Sequence, residues 1–124
     1  MIDNIRLSEK AKQQLIVIKR KTGIENWNVL CRWALFLSLA EESIPPFEDI
    51  QTDSSVEITW KVFAGENAEL IRTLLAQRMF NEQVSLDNTE HVYHFFKLHM
   101  HRGISFLLTR IENIDSLYFL YGKN

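Results

Sequence analysis

The sequence predicts a mainly α-helical fold: a compact single-domain helical bundle with one or two short strands, in which an N-terminal strand-helix-helix order resembles a ribbon-helix-helix domain. Three observations predict it. Apolar residues recur at three- and four-residue spacing through several long segments. Period-two alternation is confined to two short runs, "NIRLS" and "VEITWKVF". Only four Gly and two Pro interrupt 124 residues that are 46% hydrophobic and 24% charged, an ordinary balance for one soluble domain that can bury a core without disulfide or metal staples.

The elements follow in order. In "NIRLS", Ile5 and Leu7 alternate with Arg6 as a short β entry. Ser8 then reads as an N-cap with Glu9 favourable in the first turn, and the helix runs to about Thr22, where Gly23 supplies a left-handed stop. Ala11, Leu15, Ile18 and Thr22 form its apolar stripe, flanked by Lys10 and Lys21 on one side and by Lys12 and Lys19 on the other. A second helix is expected from near Glu25 to before Pro45-Pro46. It is apolar nearly all round, from Trp27 through Trp33 to Ala40, which predicts self-association through it.

"IPPFEDIQTDSS" reads as an acidic loop. "VEITWKVF" follows as a strand with Val56, Ile58, Trp60 and Val62 on one side, its partner being "NIRLS" or a strand of another protomer. A helix from about Asn67 to Phe80 carries Leu70, Ile71, Leu74, Leu75 and Met79 on one face. Asp87 to Glu90 resembles a capping box before a longer helix, which Gly103 is expected to break, leaving "ISFLLTR" and "IDSLYFLYG" as shorter helices closing the core.

Charge is unevenly spread. Net charge is −2, yet residues 1–22 carry Arg6, Lys10, Lys12, Lys19, Arg20 and Lys21 against Asp3 and Glu9 alone. Residues 41–57 hold six carboxylates and no Lys or Arg. Lys10, Lys12, Lys19, Arg20 and Lys21 can therefore bind a polyanion while the chain stays near neutrality, although a solvated helix end would use the same residues.

Other chemistry finds little support. His91 and His94 could share an ion, but His94 and His101 are separated by about 10 Å of helix rise, so ordinary polar or core histidines are the better reading and no metal is expected. Cys31, the only cysteine, cannot form an internal disulfide; among apolar neighbours it reads as a buried, inert thiol rather than a sulfur carrier. Trp33 and Trp60 read as core, whereas Trp27 lies beside the Gly23 turn and the basic cluster. No Walker loop, GxGxxG or GxSxG is present, so neither a catalytic centre nor a cofactor is expected. The start lacks a secretory pattern and the apolar stretch from Trp27 to Ala40 is short for a bilayer span, which points to a cytoplasmic protein.

The run "IRLSEKAKQQLIVIKRKTGIENWNVLCRWALFLSL", then "VEITWKVFAGE", then "HMHRGISFL", resembles the small DndE-type subunit of the bacterial DNA sulfur-modification (phosphorothioation) system, in the same order over nearly the whole chain. The resemblance implies a homo-oligomer, a tetramer, that binds double-stranded DNA with a preference for nicked DNA. It also implies an accessory role beside other subunits that mobilise sulfur and replace a non-bridging phosphate oxygen. Two alternatives come from the residues themselves. A ribbon-helix-helix transcriptional regulator would read base edges with Arg6, and a scaffold would use its basic strip on acidic proteins.

Overall fold

The structure, a computed structural model, describes the backbone of residues 2–121 and the side chains of residues 2–112. Strand β1 (Asn4–Arg6) leads into helix α1 (Glu9–Thr22), and α2 (Trp27–Ala40) follows across a short turn. An irregular segment then crosses to β2 (Glu57–Thr59), helix α3 (Trp60–Ala64), a single 3₁₀ turn, α4 (Ala68–Asn81) and the 33-residue α5 (Thr89–Tyr121).

The two strands pair antiparallel within the chain, with Ile5 opposite Ile58 and both buried. The expected partner for the second strand is thus β1, and no second protomer is needed. The strand itself is shorter than its alternation suggests. Thr59 Oγ1 accepts a hydrogen bond from the Val62 N–H at 3.2 Å and starts α3, so Trp60 and Val62 leave the strand and Val62 is exposed. Threonine suits a strand through its β-branch and an N-cap through its hydroxyl, and here the cap prevails.

Helix α2 begins two residues later than expected, at Trp27, and ends at Ala40, before the prolines are reached. Although apolar nearly all round, it is only partly buried within the one chain. Leu30, Cys31, Ala34, Leu35 and Ser38 are buried, but Trp33, expected in the core, is 60% exposed. On α4 the buried stripe is Ile71, Leu75 and Met79, while Leu70 and Leu74, expected on the same face, are 54% and 38% exposed. The cap of α5 is Asn88, whose Oδ1 accepts from the His91 N–H at 3.1 Å; Asp87 lies outside it.

Gly103 does not break α5, contrary to expectation. It sits where α5 crosses α2, and a Cβ built there would lie 1.8 Å from the carbonyl oxygen of Ala34. The absent side chain lets the two backbones come together, flanked by Leu35, Met100 and Ile104, all fully buried. The tertiary contact outweighs the intrinsic helix penalty of glycine, about 1 kcal/mol relative to alanine. "ISFLLTR" therefore continues α5, and in "IDSLYFLYG" the backbone to Tyr121 belongs to the same helix. The side chains of that last run, and all of Gly122, lie outside the described residues.

Gly103→Ala separates these effects. Helix propensity alone would stabilise the variant by about 1 kcal/mol. The clash instead is expected to lower the unfolding free energy by about 3 kcal/mol or more, read as a fall in the urea midpoint.

Candidate nucleic-acid interface

Helix α1 is held so that its cations face outward. Ser8 Oγ accepts from the Ala11 N–H at 3.0 Å, and the Ser8 N–H donates to His101 Nε2 at 3.1 Å. His101 Nδ1 in turn donates to the Lys97 carbonyl at 2.8 Å, which leaves the imidazole neutral with both nitrogens satisfied. Ala11, Leu15 and Ile18 seat the inner face; Lys10, Arg20 and Lys21 are exposed, and Lys12 and Lys19 half-buried.

The five cations predicted from sequence fall into two groups separated by roughly 10–15 Å of helix rise. Lys12 Nζ donates to Ser55 Oγ at 3.2 Å, and Lys10 lines a cleft of about 660 Å³ together with Glu48, Asp49 and Asp53. The acidic segment reaches this end of α1 directly, since Asp53 Oδ1 accepts from the Glu9 N–H at 3.0 Å. The second group, Lys19, Arg20 and Lys21, lies at the other end. There Gly23, at φ 75°, closes the helix with its N–H donating to the Lys19 carbonyl at 2.8 Å. A Cβ on Gly23 would meet nothing within 4 Å, so the corner is open.

Lys19 Nζ sits 4.7 Å from the centroid of the Trp27 ring, across the turn. Trp27 opens α2, whose Asn26 makes no side-chain cap bond and whose first turn holds no acidic residue. At this corner the positive end of the α2 dipole meets the negative end of the α1 dipole. Among the described residues, none of the five cations takes part in an ion pair.

Other basic residues are engaged inside the fold. Arg6 pairs with Glu57 at 2.7 Å and donates to the Ser54 carbonyl at 3.1 Å. Arg102 donates to the carbonyls of Ser38 and Ser43 at 2.7 and 2.8 Å, and Arg78 to those of Leu39 and Ser43, both at 2.8 Å. These two arginines satisfy the C-terminal carbonyls of α2, which has no basic residue in its last turn. They were not found from sequence. The one available signal was that unsupported helix end, and it does not identify donors 39 and 64 residues away.

The same region contains a Ser-His-Glu chain that the sequence also hid. Ser38 Oγ donates to His99 Nδ1 at 2.8 Å, and His99 Nε2 donates to Glu82 Oε2 at 2.7 Å. These roles follow from the remaining partners, because Arg102 Nε donates to Ser38 Oγ at 2.9 Å. The order suggests a nucleophile and its base. Ser38 and His99 are fully buried, however, so a substrate carbonyl has no route to the hydroxyl. The chain joins α2, α4 and α5.

Burial pushes the Cys31 thiol up to about 12, with Arg32 opposing weakly, so almost no thiolate forms near neutrality. Among the described residues no group of three or more His, Cys, Asp or Glu side chains is placed to hold a metal ion. His91 is exposed, and the ring of His94 lies 5.0 Å from that of Phe47. Among the described residues no helix is long and apolar enough to cross a membrane.

Comparison with known families decides the affiliation. The model of the family described as "DNA sulphur modification protein DndE" matches residues 4–115. The chain belongs to the DndE family. Two solved DndE structures share its fold. DndE from Escherichia coli B7A, described as involved in DNA phosphorothioation modification, superposes with a TM-score of 0.70 at 24% identity over 86% of this chain and 98% of that one. A glycine-to-lysine mutant of DndE superposes with a TM-score of 0.66 at 20% identity over 88% and 99%. No curated protein matches. Family membership ties the chain to DNA phosphorothioation.

Burial, as the leading cause, lowers the pKa of both His99 and His101 below the ordinary 6.5. The unfolded chain takes up protons at these positions near pH 6.5, where the folded chain holds them neutral. Their stabilising contribution is therefore complete above that pH and declines as pH falls toward the lowered folded values. The urea midpoint is expected to drop between pH 7 and 5, with a slope of up to about 1.4 kcal/mol per pH unit for each group. His101→Gln should flatten part of that slope.

Proposed function

We propose that this chain is an accessory DNA-binding subunit of the phosphorothioation machinery, which holds double-stranded DNA, preferentially nicked, and contributes no catalytic centre of its own. The observation that carries the reading is the Gly23 corner. Lys19, Arg20 and Lys21 gather there without carboxylate partners among the described residues, and the acidic segment lies at the opposite end of α1. Lys10 and Lys12, beside that segment, are weaker candidates than sequence alone suggested.

In this reading the protein works as a homo-oligomer, a tetramer in keeping with the expected family behaviour, alongside the other subunits of the sulfur-modification complex. Support comes from Trp33, Val62, Leu70 and Leu74, exposed apolar side chains on α2, α3 and α4, three helices that pack on one another. Burial of these faces between copies would bring several basic corners together, converting weak single contacts into multivalent binding. A nick adds to the effect because a broken strand bends at little elastic cost, letting separated cations reach phosphates on both sides.

The ribbon-helix-helix alternative loses its main element. There the strand pairs with its copy from a second protomer, whereas β1 here pairs with β2 of the same chain and Arg6 is occupied by Glu57.

The triple variant Lys19→Glu/Arg20→Glu/Lys21→Glu is expected to weaken duplex binding at least about tenfold. It should also flatten the plot of log K against log salt by about 2 to 3 for each protomer engaged, measured by fluorescence anisotropy with oligomeric mass followed in parallel. Unchanged affinity in an intact oligomer would remove the corner from the DNA surface. Trp33→Glu should lower the mass seen by light scattering while keeping the helical circular dichroism; an unchanged mass would place the interface elsewhere.

A further inference from the structure

We propose that Trp27 is the residue that recognises a strand break, by offering its indole face to the nucleobase exposed where the duplex stack is interrupted, while Lys19 moves from that face to the adjoining phosphate. The inference rests on the DNA-binding reading above and adds to it a residue that carries the preference.

The geometry at the corner supports it. Trp27 is partly buried, packed against the core, and its ring lies across the turn from an ammonium group 4.7 Å from the centroid. A cation on an aromatic face is weakly held when water reaches it, so Lys19 can leave at small cost. A phosphate attracts it more strongly, and the vacated face is then free for a base. A Cβ at Gly23 would meet nothing within 4 Å, and Arg20 and Lys21 are exposed next to it, so a sugar-phosphate backbone can come close. No other tryptophan combines these features. Trp60 is packed against Phe63 and Phe96, and Trp33 is exposed but has no cation over its ring among the described residues.

The chemistry also explains why such a residue would discriminate. In an intact duplex each base is covered on both faces by its neighbours, so an indole has nothing to stack on. At a nick one backbone is cut, the junction can open, and a base face becomes available. Aromatic stacking tolerates any base, which gives a reader of strand continuity and not of sequence.

The test compares a duplex carrying one central nick with its sealed counterpart, using wild type, Trp27→Leu and Trp27→Phe. Leucine keeps apolar packing and removes the π face; phenylalanine keeps both in part. Trp27→Leu is expected to lose about fivefold or more in affinity for the nicked duplex, with sealed-duplex affinity within about twofold of wild type. Trp27→Phe should retain most of the preference. In parallel, 2-aminopurine placed at the nick should change fluorescence on binding wild type and much less on binding Trp27→Leu.

An unchanged nicked-to-sealed ratio in Trp27→Leu overturns the inference and leaves the DNA-binding reading standing; a wild type that binds both duplexes equally overturns it as well and removes the nick preference from that reading while duplex binding stands. A wild type that binds neither duplex defeats that reading and this inference with it. Should Trp27→Leu fail to fold, the wild-type 2-aminopurine signal decides, and no change in it on binding overturns the proposal.

Discussion

The close crossing of α2 and α5 at Ala34 and Gly103 is the constraint on which the rest of the fold depends. Where a Cβ has no room, the backbones of two helices are in contact and their relative position is fixed within a small tolerance. That position brings Ser38 to His99 and Arg102 to the end of α2, so the polar chain that ties in α4 through Glu82 forms only if the crossing is tight. It also sets where α2 begins, and hence where Trp27 stands relative to the end of α1.

A second consequence concerns charge. Arg78 and Arg102 stand where two helices meet the end of a third, and each supplies several donors to carbonyls that the helix cannot satisfy itself. Guanidinium forks suit this work better than ammonium groups, which act as point charges. The division of labour is visible in the chain: these two arginines brace the interior, while lysines and Arg20 remain on the surface of α1.

The features legible in the sequence were those decided by near neighbours. Ser8 capping α1, the Gly23 stop and the Ile5 and Ile58 alternation each involve residues a few positions apart, and the cations at 19–21 needed no partner to be noticed. The features that were missed were decided by distant ones. Gly103 has the local signature of a breaker and is retained for a contact 69 positions away in sequence. Thr59 suits a strand or a cap equally, and the fold selected the cap. Leu70, Leu74 and Trp33 match an inward stripe by spacing, but which of several apolar positions turns inward depends on where the neighbouring helix lies. What was likewise invisible is that a loop some forty residues away reaches the first turn of α1 and sets carboxylates beside Lys10 and Lys12 but not beside the other three cations.

Carboxylates at one end of α1 and, at the other, cations without ion-pair partners among the described residues separate charge along this helix despite a net charge of only −2. On the DNA-binding reading, a body with this separation of charge would feel a torque near a polyanion before it feels net attraction, turning it until the Gly23 corner leads. Collisions with the acidic end foremost would then be turned around or repelled, and the approach would be selected by orientation. The torque fades within a Debye length, about 8 Å at physiological ionic strength, and this selection operates only in the last moments before contact.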